Sequence, residues 1–198
     1  VNYLLKEAVS QSMAGAQVLD VNVGMPEIDE PAWMEKAVVG IQSVCGCPLQ
    51  LDSSDPQALE RGLRACNGKA LVNSVSGKQA VMDAVFPLVQ RYGGAVVALL
   101  LDEDGIPETA EGRIAIGRRI IAEAARYGIE RRDLVMDALT LTISTGDQNA
   151  RVTLETLRRC REELGVRTVL GVSNISFGLP QRTLVTQAFL TQAIQSGL

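Results

Sequence analysis

The sequence predicts an α/β fold built from parallel βα units, and three observations carry that prediction. Short β-branched or aliphatic runs alternate without interruption with amphipathic stretches. The cycle of strand, polar turn and helix returns about every 20–35 residues, the mark of parallel βα units. Glycines stand where the helical patterns stop, at Gly68, Gly93, Gly128 and Gly165, as left-handed helix ends require. In order, a helix is expected near 3–15, then strands at 18–23, 48–52, 70–75, 95–102, 133–141 and 168–173. Helical stretches near 31–44, 56–66, 78–92, 109–127, 149–164 and 181–196 follow them in turn. Asp55-Pro56 places a capping carboxylate before a first-turn proline and fixes one helix start. Six βα units behind a leading helix fit either a (β/α)8 barrel or an open doubly wound sheet. A complete barrel takes about 250 residues, so as a barrel this chain of 198 residues is short by a strand at each end.

Composition narrows the function classes. With 46% hydrophobic and 21% charged residues, the chain supports one well-buried core and is expected to be a single domain over 1–198. Aromatics are only 4%, as suits helices laid on parallel strands. A net charge of −4 and scattered Lys and Arg argue against a nucleic-acid partner. No run approaches the roughly 20 apolar residues of a membrane span. Residues 1–14 read as a helix carrying Lys6 and Glu7 and not as a signal peptide, so a cytoplasmic protein is expected. Cys45, Cys47, Cys66 and Cys160 are expected to be reduced, because Cys45-Gly46-Cys47 lacks the paired spacing of a zinc site. The absence of histidine removes Ser-His-Asp and Cys-His nucleophilic machinery and the commonest metal ligand. There is also no G-x-G-x-x-G after the first strand and no Walker-type lysine. Asp102, Glu103 and Asp104 precede Gly105 and Pro107, which makes a turn the better reading than a metal site, and no bound metal is expected. Trp33 and Met34, at a helix start, read as core or interface.

Polar residues close the predicted strands: Asp20 and Asn22, then Asp52, Asn73, Asp102, Asp137 and Asn174. Each would bear a desolvation cost within an apolar strand unless something satisfied it. In a barrel, strand ends converge on one functional face. A ring of carboxylates and carboxamides with few cations suits a flat neutral heterocycle with amino and lactam N–H donors, such as a pterin, and suits sugar phosphates poorly. Asp137 has the strongest case on physical grounds, since it interrupts the apolar run LVMDALTL.

The segments DVNVG (20–24), LDSS (51–54), VNS (72–74), MD (136–137) and GVSNIS (171–176) resemble, in order and spacing, the pterin-binding methyltransferase barrels. That family includes the folate domain of cobalamin-dependent methionine synthase and the methyltetrahydrofolate:corrinoid/iron–sulfur protein methyltransferases, and it shares its barrel with dihydropteroate synthase. DEDGIPETAEGR (102–113) and GVSNISFGLPQR (171–182) look closest to the methionine synthase side. The resemblance implies a (β/α)8 TIM barrel of the pterin-binding type, represented by its strands two to seven, with the first and last strands missing. It departs from the family at Gln181 and at Thr186-Gln187, where the family often has Asn and Asn-Arg.

By the same resemblance, the chain binds methyltetrahydrofolate as substrate and passes its N5-methyl group to cob(I)alamin carried by a corrinoid-binding domain or protein. Asp137 would take the 2-amino and N3 edge of the pterin, with Asn22, Asp52 and Asn73 completing the ring contacts and Asp20 left structural. Asn174 would be the catalytic residue, hydrogen-bonded to N5 as charge develops there. Arg182 would meet the anionic glutamate tail. A second copy of the chain is kept among the candidate partners. The alternative readings are methyl transfer to a corrinoid/iron–sulfur protein, dihydropteroate synthesis, and a non-catalytic folate-binding fragment. Zinc-dependent homocysteine activation is not expected here, for want of a cysteine cluster.

Overall fold

A computed structural model describes residues 2–198. Seven α-helices alternate with six strands: α1 (Asn2–Met13), β1 (Leu19–Asn22), α2 (Glu30–Gln42), β2 (Leu49–Asp52), α3 (Pro56–Ala65), β3 (Leu71–Ser76), α4 (Gln79–Tyr92), β4 (Ala95–Leu99), α5 (Ala110–Arg126), β5 (Leu134–Asp137), α6 (Asn149–Arg159), β6 (Arg167–Val169) and α7 (Arg182–Gln195). The strands form one sheet in the order β1-β2-β3-β4-β5-β6, with β1 and β6 at its edges among the described residues. The order matches the sequence expectation element by element. Gly68, Gly93, Gly128 and Gly165 all take positive φ, between 63° and 93°.

The chain divides into two compact units, the first comprising Val1–Ser74 with Asp83–Val96 and the second Val75–Met82 with Val97–Leu198. In the first unit, β1 pairs parallel with β2 and β2 with β3. Leu19 and Val21 of β1, with Leu49 and Leu51 of β2, are buried. So are Met34, Val38 and Ile41 of α2 and Leu59 and Leu63 of α3. Each such side chain contributes about 1.5–3 kcal/mol on burial. The alternate strand positions are polar: Asp20, Asn22, Gln50 and Asp52 point to the other face by the two-residue period. Asp55 caps α3 as expected, accepting from Gln57 N at 2.8 Å. Met34 is core, whereas Trp33 lies on the α2 surface with the Lys36 ammonium 5.3 Å from its ring centre.

In the second unit, β5 pairs parallel with β6. Ile114, Ile120 and Ala124 of α5, Leu134 and Met136 of β5, and Leu157 of α6 are fully buried. Helix α6 runs into a π turn, Cys160–Leu164, and stops at left-handed Gly165. All four cysteines are free, and burial pushes the Cys160 thiol up to about 12.

Three expected strands end three or more residues before the sequence suggests. The apolar run 133–141 predicts a strand through Leu141, but β5 ends at Asp137. Leu139 adopts φ 60°, and Arg113 takes the carbonyls of Ala138 and Leu139, so these groups leave the ladder. The run 168–173 likewise predicts a longer strand than β6. Val172–Ser176 instead winds into a 3-10 turn, which puts Asn174 inside that turn and not at a strand end. Asp102 also lies beyond its strand, bridged to Gly105 in the turn the sequence predicts.

Candidate functional site

In the first unit, sheet register builds the polar row. Asn22 pairs with Asp52, and Asp52 with Asn73, across three adjacent strands. The Asn22 Nδ2 donates to Asp52 Oδ2 at 2.9 Å, while its Oδ1 accepts from Gly24 N at 3.0 Å. Both ends of that carboxamide are therefore assigned, with the nitrogen turned to the carboxylate. Among the described residues the Asn73 side chain has no hydrogen-bond partner, though its backbone carbonyl accepts from Ser53 N at 3.1 Å. The Ser53 hydroxyl donates to the Glu30 carboxylate and accepts from Asp55 N, which fixes the turn leaving β2. One register step further from the strand ends, Asp20 accepts from Gln50. Desolvation raises the Asp20 carboxyl above its ordinary value, the Gln50 amide pulls it down, and the Asp52 charge raises it further. One carboxylate oxygen of Asp20 is thus occupied by the Gln50 amide.

In the second unit, Asp137 closes β5 with one carboxylate oxygen held: Oδ1 accepts from Leu139 N at 2.8 Å. Burial raises its pKa, and both that N–H and the Arg113 guanidinium oppose the rise. Asp137 forms no salt bridge among the described residues, and its Oδ2 has no hydrogen-bond partner among them.

Asn174 sits on the 3-10 turn after β6, and its backbone N–H closes on Gly171 O at 3.1 Å. Its carboxamide is partly exposed and has no partner among the described residues. A Cβ on Gly171 would lie 2.8 Å from Asn174 Nδ2, so a side chain there would displace that amide. The turn is clasped by the loop after β5. Thr142 Oγ1 donates to Phe177 O at 2.7 Å, Ser144 Oγ donates to the same carbonyl at 2.9 Å, and Ile143 N reaches Ile175 O at 3.1 Å. Hydroxyls thus couple the Asp137 loop to the Asn174 turn.

Arg182 opens α7 and is folded onto the same turn. Its Nε donates to Ser176 Oγ at 3.2 Å, its Nη2 to Ser173 O at 3.3 Å, and its guanidinium lies 4.6 Å from the Phe177 ring centre. The residue remains exposed, so donors are left over for an anion. Gln181 before it takes φ 54°, a left-handed region that Asn tolerates better than Gln.

Sequence reasoning missed Arg113. It is 1% exposed and has the largest fully buried side chain, with its guanidinium spent on backbone carbonyls. A signal existed: in α5 it falls in phase with buried Ala110, Ile114 and Gly117, a charge at a core position. The hydroxyl clasp of Thr142 and Ser144 was also missed, because loop partners leave no period. The acidic triplet 102–104 is a turn in which Glu103 pairs with Arg119 at 3.0 Å and accepts from Gln79 N, holding its carboxyl down at about 2.

The whole chain, residues 1–198, matches the family described as Pterin binding enzyme. It is 32% identical over 96% of its length to methionine synthase of Mycobacterium tuberculosis, of which it spans only 17%. It is also 32% identical over 99% of its length to the methylcorrinoid:tetrahydrofolate methyltransferase of Eubacterium limosum, of which it spans 73%. Among solved structures, dihydropteroate synthase of Thermus thermophilus superposes with a TM-score of 0.76 at 22% identity, covering 98% of this chain and 79% of that one. The Vibrio fischeri dihydropteroate synthase gives 0.74 at 17% identity, covering 98% and 78%. These structural likenesses bear on the fold alone, and they identify the six-stranded α/β sheet as that of the pterin-binding TIM barrels. The chain belongs to the pterin-binding enzyme family.

Proposed function

We propose that this chain binds methyltetrahydrofolate and exchanges its N5-methyl group with the cobalt of a cobalamin carried by a separate corrinoid domain or protein. The observation that carries the reading is Asp137, a largely desolvated carboxylate at a strand end with one oxygen held by Leu139 N–H and no ion pair. A half-buried carboxylate left in that state is suited to a ligand edge bearing two N–H donors, which the 2-amino and N3 groups of a pterin supply. Asn22, Asp52 and Asn73 are assigned to the rest of the ring, and Arg182 to the glutamate tail. The name of the Eubacterium relative supports methyl transfer between a corrinoid and tetrahydrofolate as the reaction class.

Asn174 is assigned to the reacting nitrogen. N5 is a poor leaving group unless charge developing there is stabilised, and a carboxamide can accept from protonated N5 or rotate to suit the neutral form. Such a preorganised contact contributes about 2.7–4 kcal/mol to a transition state. The cobalamin supplies the methyl-accepting cobalt; this chain's residues hold the folate and tend the proton at N5. By microscopic reversibility the same residues serve transfer from a methylcorrinoid to tetrahydrofolate, the direction in the name of the Eubacterium relative. The six strands are assigned to strands two to seven of the barrel, in a cytoplasmic setting where thiols stay reduced.

The test has two stages. Calorimetric titration with methyltetrahydrofolate is expected to show saturable binding; no heat or shift at millimolar ligand removes the reading. Addition of cob(I)alamin with absorbance detection is then expected to show methylcobalamin, and Asn174→Ala to slow its formation about 100-fold with a smaller loss of affinity. Loss confined to affinity would withdraw the role of Asn174.

A further inference from the structure

A fully buried arginine that forms no salt bridge needs a reason. Removing a guanidinium from water costs several kcal/mol, and a Met or Leu at a core position avoids that cost. Arg113 is 1% exposed, and among the described residues it forms no salt bridge. What it does instead is span two loops of the second unit. Its Nε donates to Pro107 O at 3.0 Å, in the segment between β4 and α5. Its Nη1 donates to Ala138 O at 2.6 Å and to Leu139 O at 2.9 Å, in the loop that leaves β5.

The local sequence makes room for this reach. Thr109 caps α5, accepting from Gly112 N at 3.2 Å, and starts the helix close under Pro107. A Cβ on Gly112 would stand 2.8 Å from the Pro107 Cβ, so glycine permits the approach that brings the Pro107 carbonyl to Arg113. At the other end, Leu139 is held in the left-handed region, at φ 60°, which a branched residue rarely adopts without support. That backbone turn directs the Leu139 N–H onto Asp137 Oδ1 at 2.8 Å. The chain of contacts thus runs from guanidinium to peptide to carboxylate.

We infer that Arg113 is a positioning residue for Asp137: it fixes the Ala138–Leu139 peptides whose N–H holds one carboxylate oxygen, so that the other faces the ligand already aimed. The inference deepens the proposed function and rests on its assignment of Asp137 to the pterin edge. Burial raises the Asp137 carboxyl and the Arg113 charge opposes the rise, so the same guanidinium also favours the ionised, acceptor-only form that a two-donor edge requires. Arg113 makes no contact with substrate in this scheme; its effect passes through the backbone and the field.

The experiment is a double-mutant cycle read on the affinity for methyltetrahydrofolate, with Arg113→Lys, Arg113→Met, Asp137→Asn and the two double variants, each checked by thermal melting. Arg113→Met is expected to weaken binding about 10- to 100-fold in the wild-type background and less than about 3-fold in the Asp137→Asn background. Arg113→Lys keeps the charge but not the fork of donors, and is expected to recover part of the loss. Equal fold-losses in both backgrounds overturn the inference, as does unchanged binding. If Arg113→Met does not fold, the Arg113→Lys arm of the cycle carries the same criterion. Hydrogen exchange at the Leu139 amide supplies a ligand-free readout: protection in the wild type and about 10-fold or more faster exchange in Arg113→Lys are expected. A wild-type protein that binds no methyltetrahydrofolate overturns the functional reading, and Leu139 exchange then decides the positioning claim alone. Protection unaltered in Arg113→Lys refutes it.

Discussion

The two groups of candidate residues are held in place by different means. In the first unit, Asn22, Asp52 and Asn73 stand in line because three parallel strands pair in register, and the ladder that sets them is independent of their side chains. In the second, Asp137 and Asn174 depend on loops: a left-handed Leu139, a buried guanidinium, a clasp of hydroxyls and a glycine that leaves room for an amide. A ladder tolerates the loss of one side chain. A loop network does not, because each member fixes backbone that others use. The expectation is local, additive mutational effects in the first unit and coupled ones in the second.

The largest expected effect falls on Asp137. Asp137→Ala would remove the charge-assisted contact proposed to the pterin edge, such hydrogen bonds being worth about 1.5–3 kcal/mol each, and should cost methyltetrahydrofolate affinity about 100-fold by calorimetry. Asp52→Ala and Asn73→Ala, on the ladder side, should cost about 10-fold each and combine near-additively after allowance for their adjacency. Additive losses of similar size on both sides would erase the contrast.

The free protein sharpens it differently. Because burial raises the Asp137 carboxyl above 3.8, the folded state holds that proton more tightly than the unfolded chain does. The ionised carboxylate therefore opposes folding. Its penalty grows as pH rises from 3.8 through the folded value and is full above it. Asp137→Asn, whose oxygen can still accept from Leu139 N, should raise the melting temperature at pH 7 while weakening ligand binding. The gain should vanish near pH 3, and a gain unchanged at that pH would contradict the cause assigned. A smaller effect is expected at Thr140, whose hydroxyl is buried without a partner among the described residues. Thr140→Val should stabilise the second unit by about 1 kcal/mol in denaturant melts, since an unpaired buried hydroxyl is exchanged for a methyl of similar shape. Smallest of all, Gln181→Asn should add a few tenths of a kcal/mol by relieving a left-handed glutamine.

The same contrast explains what could be read from the amino acids alone. Period-two and period-3.6 patterns, with Asp55-Pro56 and the helix-stopping glycines as punctuation, locate every helix and strand to within a few residues. The polar row of the first unit is legible for the same reason, since it lies on the strand period itself. The second unit resisted where side chains bond to backbone. Ala138-Leu139-Thr140-Leu141 looks like continued strand because its composition is apolar, yet a guanidinium from α5 and the Asp137 side chain pull it out of the ladder. Asn174 reads as a strand terminus, but Gly171 and the carbonyl contacts of Thr142 and Ser144 make it part of a 3-10 turn. Arg113 leaves a trace only to a reader who asks why a charge occupies a core phase.

The polar face of β1 and β2 has one more consequence. The apolar partners of these strands, Leu19, Val21, Leu49 and Leu51, all belong to the face on which the core is built, and the alternate positions contribute nothing to that core. The surface proposed for recognition can consequently be rewritten one residue at a time with the core left intact. Divergence toward other flat heterocycles could proceed on that face by single substitutions, whereas the same divergence at Asp137 would have to carry its supporting loops with it.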